Sequence, residues 1–286
     1  MNRNIHENKE TSIELEAISV ELPTGVALQY VEQGDPSGVP VLLLPGGFDS
    51  WRAYERVLPH LPESIRAFVL TQRGHGDSSK PTTGYSTGDF AADAAAFMDV
   101  LQLDAAVIAG HSSSSLIAHR FARDCPEHTL GLVLVGGFAT MRGNPVALEV
   151  RDAASKLEDP VDPGFVREFQ ESMLAQPVPQ LFLDTMNREA LKVPARTWRA
   201  LSAAVLEEDT SKELHKIKVP TLLVWGDRDA ASPRSEQGVL VEAIAGSRLV
   251  VYEGAGHSVH WEDPERFASD LVSFIETVID REREAT

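Results

Sequence analysis

Several functional classes are set aside by what the chain has little of. It carries one cysteine, Cys125, among 286 residues. No internal disulfide can form, and no CxxC pair offers redox chemistry or thiolate metal ligands. HExxH is absent too, so the pattern implies neither a metal nor a cofactor. No apolar run approaches the roughly 18–20 residues of a membrane-crossing helix. Basic residues are scarce, 26 Lys and Arg against 43 Asp and Glu, for a formal net charge of -17. Nucleic acid and anionic membranes call for a basic face, so neither is expected as a partner, and the acidity reads as solubility. The glycines of Arg73-Gly74-His75-Gly76 are not followed by the Gly-Lys-Ser/Thr of a phosphate loop. Cys125 reads as an inert thiol. The opening MNRNIHENKETS is polar and lacks the apolar core of a secretory signal, which predicts a cytoplasmic protein.

What is present is an α/β alternation. A chain of this length can bury about 75% of its unfolded surface. Residues 13–22 and 26–31 alternate with period two around Pro23-Thr24-Gly25, a hairpin signal. Six short, nearly continuous apolar runs follow, at 39–44, 65–70, 105–109, 130–135, 221–225 and 248–252. Such runs suit strands covered on both faces. Helical patterns separate most of them. Ser86 caps one, with Phe90, Ala94, Phe97 and Leu101 on a stripe. Asp263 and Pro264 open the last, which carries Phe267, Leu271, Phe274 and Val278. The expected architecture is a mostly parallel eight-stranded sheet with helices on both faces. Residues 139–217 break the alternation and read as short helices punctuated by prolines. They are expected to form a helical cap inserted into a core made of 1–138 and 218–286.

The run Val107-Ile108-Ala109-Gly110-His111-Ser112-Ser113-Ser114-Ser115 has the layout of a nucleophile elbow, a tight strand-to-helix turn that exposes one hydroxyl. Small residues are needed two places before and after the nucleophile. Ser112 has Gly110 and Ser114 there, whereas Ser113 would put His111 in the crowded position. A serine-rich helix cap is the alternative reading. A serine needs a base, and the base an orienting acid. Two later strands lead into Gly226-Asp227-Arg228-Asp229 and Gly254-Ala255-Gly256-His257, which supply an acid and then a histidine. The N–H of Ser113, at the helix start, is one expected oxyanion donor.

In these motifs the chain resembles the α/β-hydrolase fold superfamily, in its capped branch. LLLPGGFDSW, QRGHGDSSKP, GHSSSS, LVLVGG, LLVWGDRD and GAGHSVHWEDPERF appear in the family's order, and the likeness spans about 13–280. The resemblance implies Asp229 as the acid, with Asp227 bracing its loop, and His257 as the base. It implies Gly47 as the second oxyanion donor, with Pro45 replacing the family's usual histidine. His75, His111, His260 and the loop at Arg73 are expected to play supporting roles. That loop departs from the usual pattern by having Thr71 where an aspartate is common.

The implied activity is hydrolysis of a carboxylic ester or lactone through an acyl-enzyme on Ser112. Hydrolysis of a carbon–carbon bond in ring-cleavage products, perhydrolysis, and a hydrolase-like small-molecule receptor are the alternatives. Phe48, Trp51, Phe165, Phe169, Phe182, Met186, Trp198 and Trp261 are expected to line a pocket for a small apolar or aromatic ester-like substrate. Nothing in the sequence fixes the oligomeric state.

Overall fold

In the core strands, odd and even residues take opposite faces. The computed structural model, which describes residues 15–285, shows where each face goes. Val41, Leu43, Val107, Ala109, Val133 and Val135 pack with Phe267, Leu271, Phe274 and Val278 in one core cluster. Leu42, Leu44, Ile108, Leu132 and Leu134 pack with Phe90, Ala94, Phe97, Ile117 and Phe121 in another. Both faces are therefore dry, and that is why these strands read as unbroken apolar runs.

The strands are β1 (Ile18–Glu21), β2 (Ala27–Gln33), β3 (Val39–Leu44), β4 (Ile65–Thr71), β5 (Ala106–His111), β6 (Thr129–Val135), β7 (Thr221–Gly226) and β8 (Arg248–Tyr252). They form one sheet in the order β1-β2-β4-β3-β5-β6-β7-β8. β2 runs antiparallel to β1 and β4, and the other neighbours are parallel. The polar opening segment and residues 13 and 14, expected at the start of the hairpin, lie outside the described residues.

The helices are α1 (Thr87–Val100), α2 (Ser113–Asp124), α3 (Pro145–Ala154), α4 (Pro163–Ser172), α5 (Gln180–Leu191), α6 (Ala195–Glu207), α7 (Arg234–Ala243), α8 (Val259–Glu262) and α9 (Pro264–Ala285). α1 opens with a reciprocal capping box, the Ser86 side chain accepting from the Asp89 N–H while Asp89 accepts from the Ser86 N–H. The Asp263 carboxylate accepts from the Arg266 N–H at 3.2 Å at the head of α9. None of these helices is long and apolar enough to cross a membrane.

α3 to α6 fill the interval between β6 and β7, and a bridge between Thr140 and Asp209 ties its ends together. They join both of the sheet's cores and add a small third cluster, in which Phe138, Met141 and Leu206 pack with Leu116 of α2. Ala154, Val166, Ala190 and Trp198 join the cluster holding α1 and α2, while Phe182 and Met186 of α5 join the cluster under α9. Registers Leu44↔Gly110, Gly110↔Leu134 and Leu134↔Leu223 bring the carboxyl ends of β3, β5, β6 and β7 to one level. That edge, beneath α3 to α6, is where an open parallel sheet places its ligand.

Candidate active site

β5 ends at His111, and Ser112 then turns the chain at φ 54°, ψ -123° into α2. A side chain in this region is strained, and such strain survives only where the surroundings fix it. Here a Cβ on Gly110 would lie 2.2 Å from the Ser114 carbonyl oxygen, so only glycine fits before the turn. Ser112 holds the N-cap position yet makes no side-chain cap. Its Oγ lies 2.8 Å from Nε2 of His257. The hydroxyl faces the imidazole and makes no helix cap.

His257 Nδ1 donates to Asp229 Oδ2 at 2.8 Å. The other oxygen, Oδ1, accepts from the Ala231 and Ser232 N–H groups, both at 2.8 Å. The carboxylate is thus held by two backbone donors and one ring. Asp227 accepts from the Gly254 N–H at 2.6 Å and braces the neighbouring loop. Burial opposes a charged His257, but the Asp229 carboxylate, its hydrogen bond and the charge of Asp49 outweigh that and raise the imidazole above its usual value. Gly136, at the end of β6, has φ +53°, and a Cβ there would come within 2.9 Å of His257 Nδ1. The strand end is bare so that the ring can stand beside it.

Three further residues hold His257 in place. His111 Nε2 lies 3.2 Å from the His257 carbonyl oxygen. Burial keeps His111 neutral, well below its ordinary value, so Nε2–H is the donor. From the segment after α4, the Met173 carbonyl accepts from the N–H groups of His257 and Ser258 at 2.9 and 3.2 Å. Glu262 accepts from Gly256 N–H at 2.9 Å and Ala175 N–H at 2.7 Å, joining the histidine loop to the same segment.

The loop after β3 lies opposite. Pro45 offers only its carbonyl, and both Ser114 Oγ and Gln72 Nε2 donate to it, Gln72 from 3.0 Å. Pro45, a departure from the family pattern, is therefore braced by Ser114 and Gln72. A Cβ on Gly47 would press on Ser113 Oγ at 3.1 Å and Leu201 Cδ2 at 3.2 Å. Phe48 has φ 73° and stacks on Trp198 at 3.5 Å between centroids, which ties the loop to α6. Asp49 is buried and accepts from Gln170 Nε2 of α4 at 3.2 Å. Burial pushes its carboxyl up to about 7, against the Gln170 hydrogen bond and the charge of His257. Thr71 Oγ1 accepts from the Trp51 N–H at 3.0 Å, and Arg73 makes a buried two-bond pair with Asp93. The Arg73 loop thus has a structural place.

Ser112, Ser113, Gly47 and His257 open into a cavity with about 90 Å³ of room for the centres of water-sized atoms. Of the expected pocket residues, Phe48 and Phe169 line it. The other six do not, and the expectation is corrected for each. Trp51, Phe182, Met186 and Trp261 lie in the core cluster under α9, with Phe182 edge-on to Trp261 at 5.4 Å. Trp198 stands behind Phe48, and Phe165 meets Trp198 edge-on at 5.2 Å. His260 is fully buried between Tyr54 and His111. The remaining walls are mainly aliphatic, with Val146 and Val150 on α3, Leu201 and Val205 on α6, and Phe138, Met141 and Met173 from the connecting segments. The i, i+4 pairs on α3 and α6 were the available signal, and weighting aromatic residues missed it. No charged side chain lines the cavity other than His257 when protonated.

A model of the alpha/beta hydrolase fold matches residues 39–264. The chain is 28% identical over 253 residues to the AB hydrolase superfamily protein YisY of Bacillus subtilis, a match covering 83% of this chain and 91% of that protein. It is 29% identical over 276 residues to the non-heme chloroperoxidase of Streptomyces lividans, covering 88% and 97% respectively. Among solved structures, an esterase of Exiguobacterium antarcticum is similar with a TM-score of 0.81 at 25% identity, covering 91% of this chain and 100% of that one.

Proposed function

The chain belongs to the alpha/beta hydrolase fold family, and from that premise we propose that it is a serine-dependent hydrolase of uncharged carboxylic esters or lactones. One observation carries the reading. The Ser112 hydroxyl, on a strained turn, is 2.8 Å from an imidazole that is itself 2.8 Å from a buried carboxylate, and the hydroxyl opens into an apolar cavity. In this reading His257 Nε2 takes the Ser112 proton while Oγ attacks the carbonyl carbon. The carbonyl electron pair moves onto oxygen, where the N–H groups of Gly47 and Ser113 receive it. Collapse expels the alkoxide, which takes the proton from His257. A water deprotonated by the same ring then attacks the acyl carbon, and Ser112 leaves with that proton.

The cavity supports an apolar acyl or aryl group of modest size. Its room for the centres of water-sized atoms is about 90 Å³. Among the described residues its walls carry no charged side chain other than His257 when protonated. The Exiguobacterium esterase supports ester chemistry. The Streptomyces chloroperoxidase supports a second reading, in which hydrogen peroxide in place of water takes the acyl group as a peracid. We propose hydrolysis as the primary activity because it needs no second substrate.

Short p-nitrophenyl esters should be hydrolysed, and Ser112→Ala should lower kcat by about 10⁶ while the thermal transition is kept. A fluorophosphonate probe should label the unsubstituted protein at Ser112. A variant with full turnover, or a protein that takes up no label, would overturn the reading and favour a binding role.

A further inference from the structure

The run Ser112-Ser113-Ser114-Ser115 divides its hydroxyls among four directions. Ser112 Oγ meets His257 Nε2. Ser114 Oγ donates to the Pro45 carbonyl. Ser115 Oγ accepts from the Phe138 N–H at 3.3 Å. Ser113 Oγ alone of the four has no hydrogen-bond partner among the described residues, and its residue lines the cavity. The residue is only 9% exposed, and its Oγ is not fully enclosed, so what surface the hydroxyl keeps is at the cavity that the residue lines. Withholding a partner from a nearly buried hydroxyl costs free energy. Helical serines commonly recover it by bonding back to a carbonyl of the preceding turn, and Ser113 does not.

The position of that hydroxyl is informative. It lies 3.1 Å from where a Cβ on Gly47 would be, against the loop that carries one backbone donor of the proposed oxyanion site. It also belongs to the residue whose own N–H is the other. The hydroxyl therefore sits beside both donors, at the mouth of an apolar cavity. We propose that Ser113 Oγ–H is a third, side-chain donor to the oxyanion, which makes Ser113 a catalytic residue through its side chain as well as its backbone. The proton stays on Ser113 throughout. The hydroxyl rotates toward the carbonyl oxygen and shortens its hydrogen bond as negative charge develops there, and this favours the transition state over the bound ester. The alanine variant keeps Cβ and the backbone N–H, so it removes only this donor.

This inference rests on the ester-hydrolysis reading for its kinetics, and its test has an arm that does not. Ser113→Ala should lower kcat on p-nitrophenyl butyrate by about 10–100-fold with KM within twofold. The bound is below the 10²–10³ typical of losing one of two donors, because two backbone donors remain. The affinity for a phenyl trifluoromethyl ketone, whose serine adduct carries the oxyanion, should fall by the same factor. The rate of Ser112 phosphonylation by a fluorophosphonate should also fall, since the phosphonyl oxygen occupies the same place. A Ser113→Ala protein with undiminished kcat, inhibitor affinity and labelling rate would overturn the proposal. Should the unsubstituted protein hydrolyse no ester, the ester reading alone fails, and the labelling rates of the two proteins still decide the role of Ser113.

Discussion

His119, on α2, is 2% exposed and lines no part of the cavity at Ser112. Its Nδ1 is 3.2 Å from Thr210 Oγ1. That hydroxyl spends its proton on the Ala139 carbonyl at 2.9 Å, so His119 must be the donor and Nδ1 carries the hydrogen. Nε2 is left without a partner. A proton added there would be buried and unpaired, and burial holds the ring down to about 3. In the unfolded chain the same imidazole titrates near 6.5. Between those values the unfolded state binds the additional proton, so stability falls as pH falls from about 6.5 toward 3. At pH 5 the unfolded chain gains RT ln(1 + 10^1.5), about 2 kcal/mol, from this one group. The figure scarcely changes if the folded value is 3 or 4, because both are well below 5.

The perturbation is His119→Gln, whose amide N–H can still reach Thr210. Urea unfolding of both proteins at pH 7.5 and pH 5 gives two stability differences. Whatever the substitution costs at pH 7.5, the variant should recover about 2 kcal/mol relative to the parent at pH 5. The double difference is needed because other groups titrate as well. His75, held near 4, and His260, held near 3, act in the same direction. Asp49, raised to about 7, acts in the other, since its protonated folded form gains stability as pH falls. These contributions are common to both proteins and cancel. A stability difference that stays the same at the two pH values, within about 0.5 kcal/mol, would refute the assignment of a neutral buried ring.

Three expected outcomes concern the candidate site. Gly136→Ala places a Cβ 2.9 Å from His257 Nδ1 at φ +53°; displacing the ring should lower kcat about 10²-fold and the backbone strain should cost about 1–2 kcal/mol, whereas unchanged kcat by ester assay would show that the ring has room to spare. The kcat/KM of the unsubstituted protein should fall with pH through the raised His257 value, because the base must be unprotonated. Asp49→Asn removes one charge that favours the imidazolium, so the acid limb of that profile should move to lower pH, and a limb that stays in place would remove Asp49 from the electrostatics of the site.

Much of this was legible because it rests on local constraints. The core strands show as apolar runs because both sheet faces are covered, and β3 spans the same residues that were read, 39–44. The proposed nucleophile shows because its turn is too tight for a Cβ at Gly110. The cavity walls were not legible for the opposite reason. A stripe such as Phe182 and Met186 tells that a helix face is buried, but not whether it meets the sheet or empty space, and here it meets Trp261 and the core under α9. The tether between Asp49 and Gln170 was equally hidden, since 121 residues separate the partners and Gln170 sits in no motif.

The four serines show where the boundary between the two cases runs. Successive residues of a helix point about 100° apart, so four identical side chains entering α2 must face four different neighbours. Sequence alone assigns the first of them, because the tightness of the turn is a property of residues 110–114 themselves. The others depend on what the fold brings to each direction. Ser114 needs the Pro45 loop, 69 residues earlier, to find its acceptor. Ser115 needs Phe138, 23 residues later. Ser113 meets the one direction in which, among the described residues, no group arrives to take its hydroxyl. A short-range rule can thus name the residue proposed to attack, while the residue proposed to help it is identified only by a partner that the rest of the chain withholds.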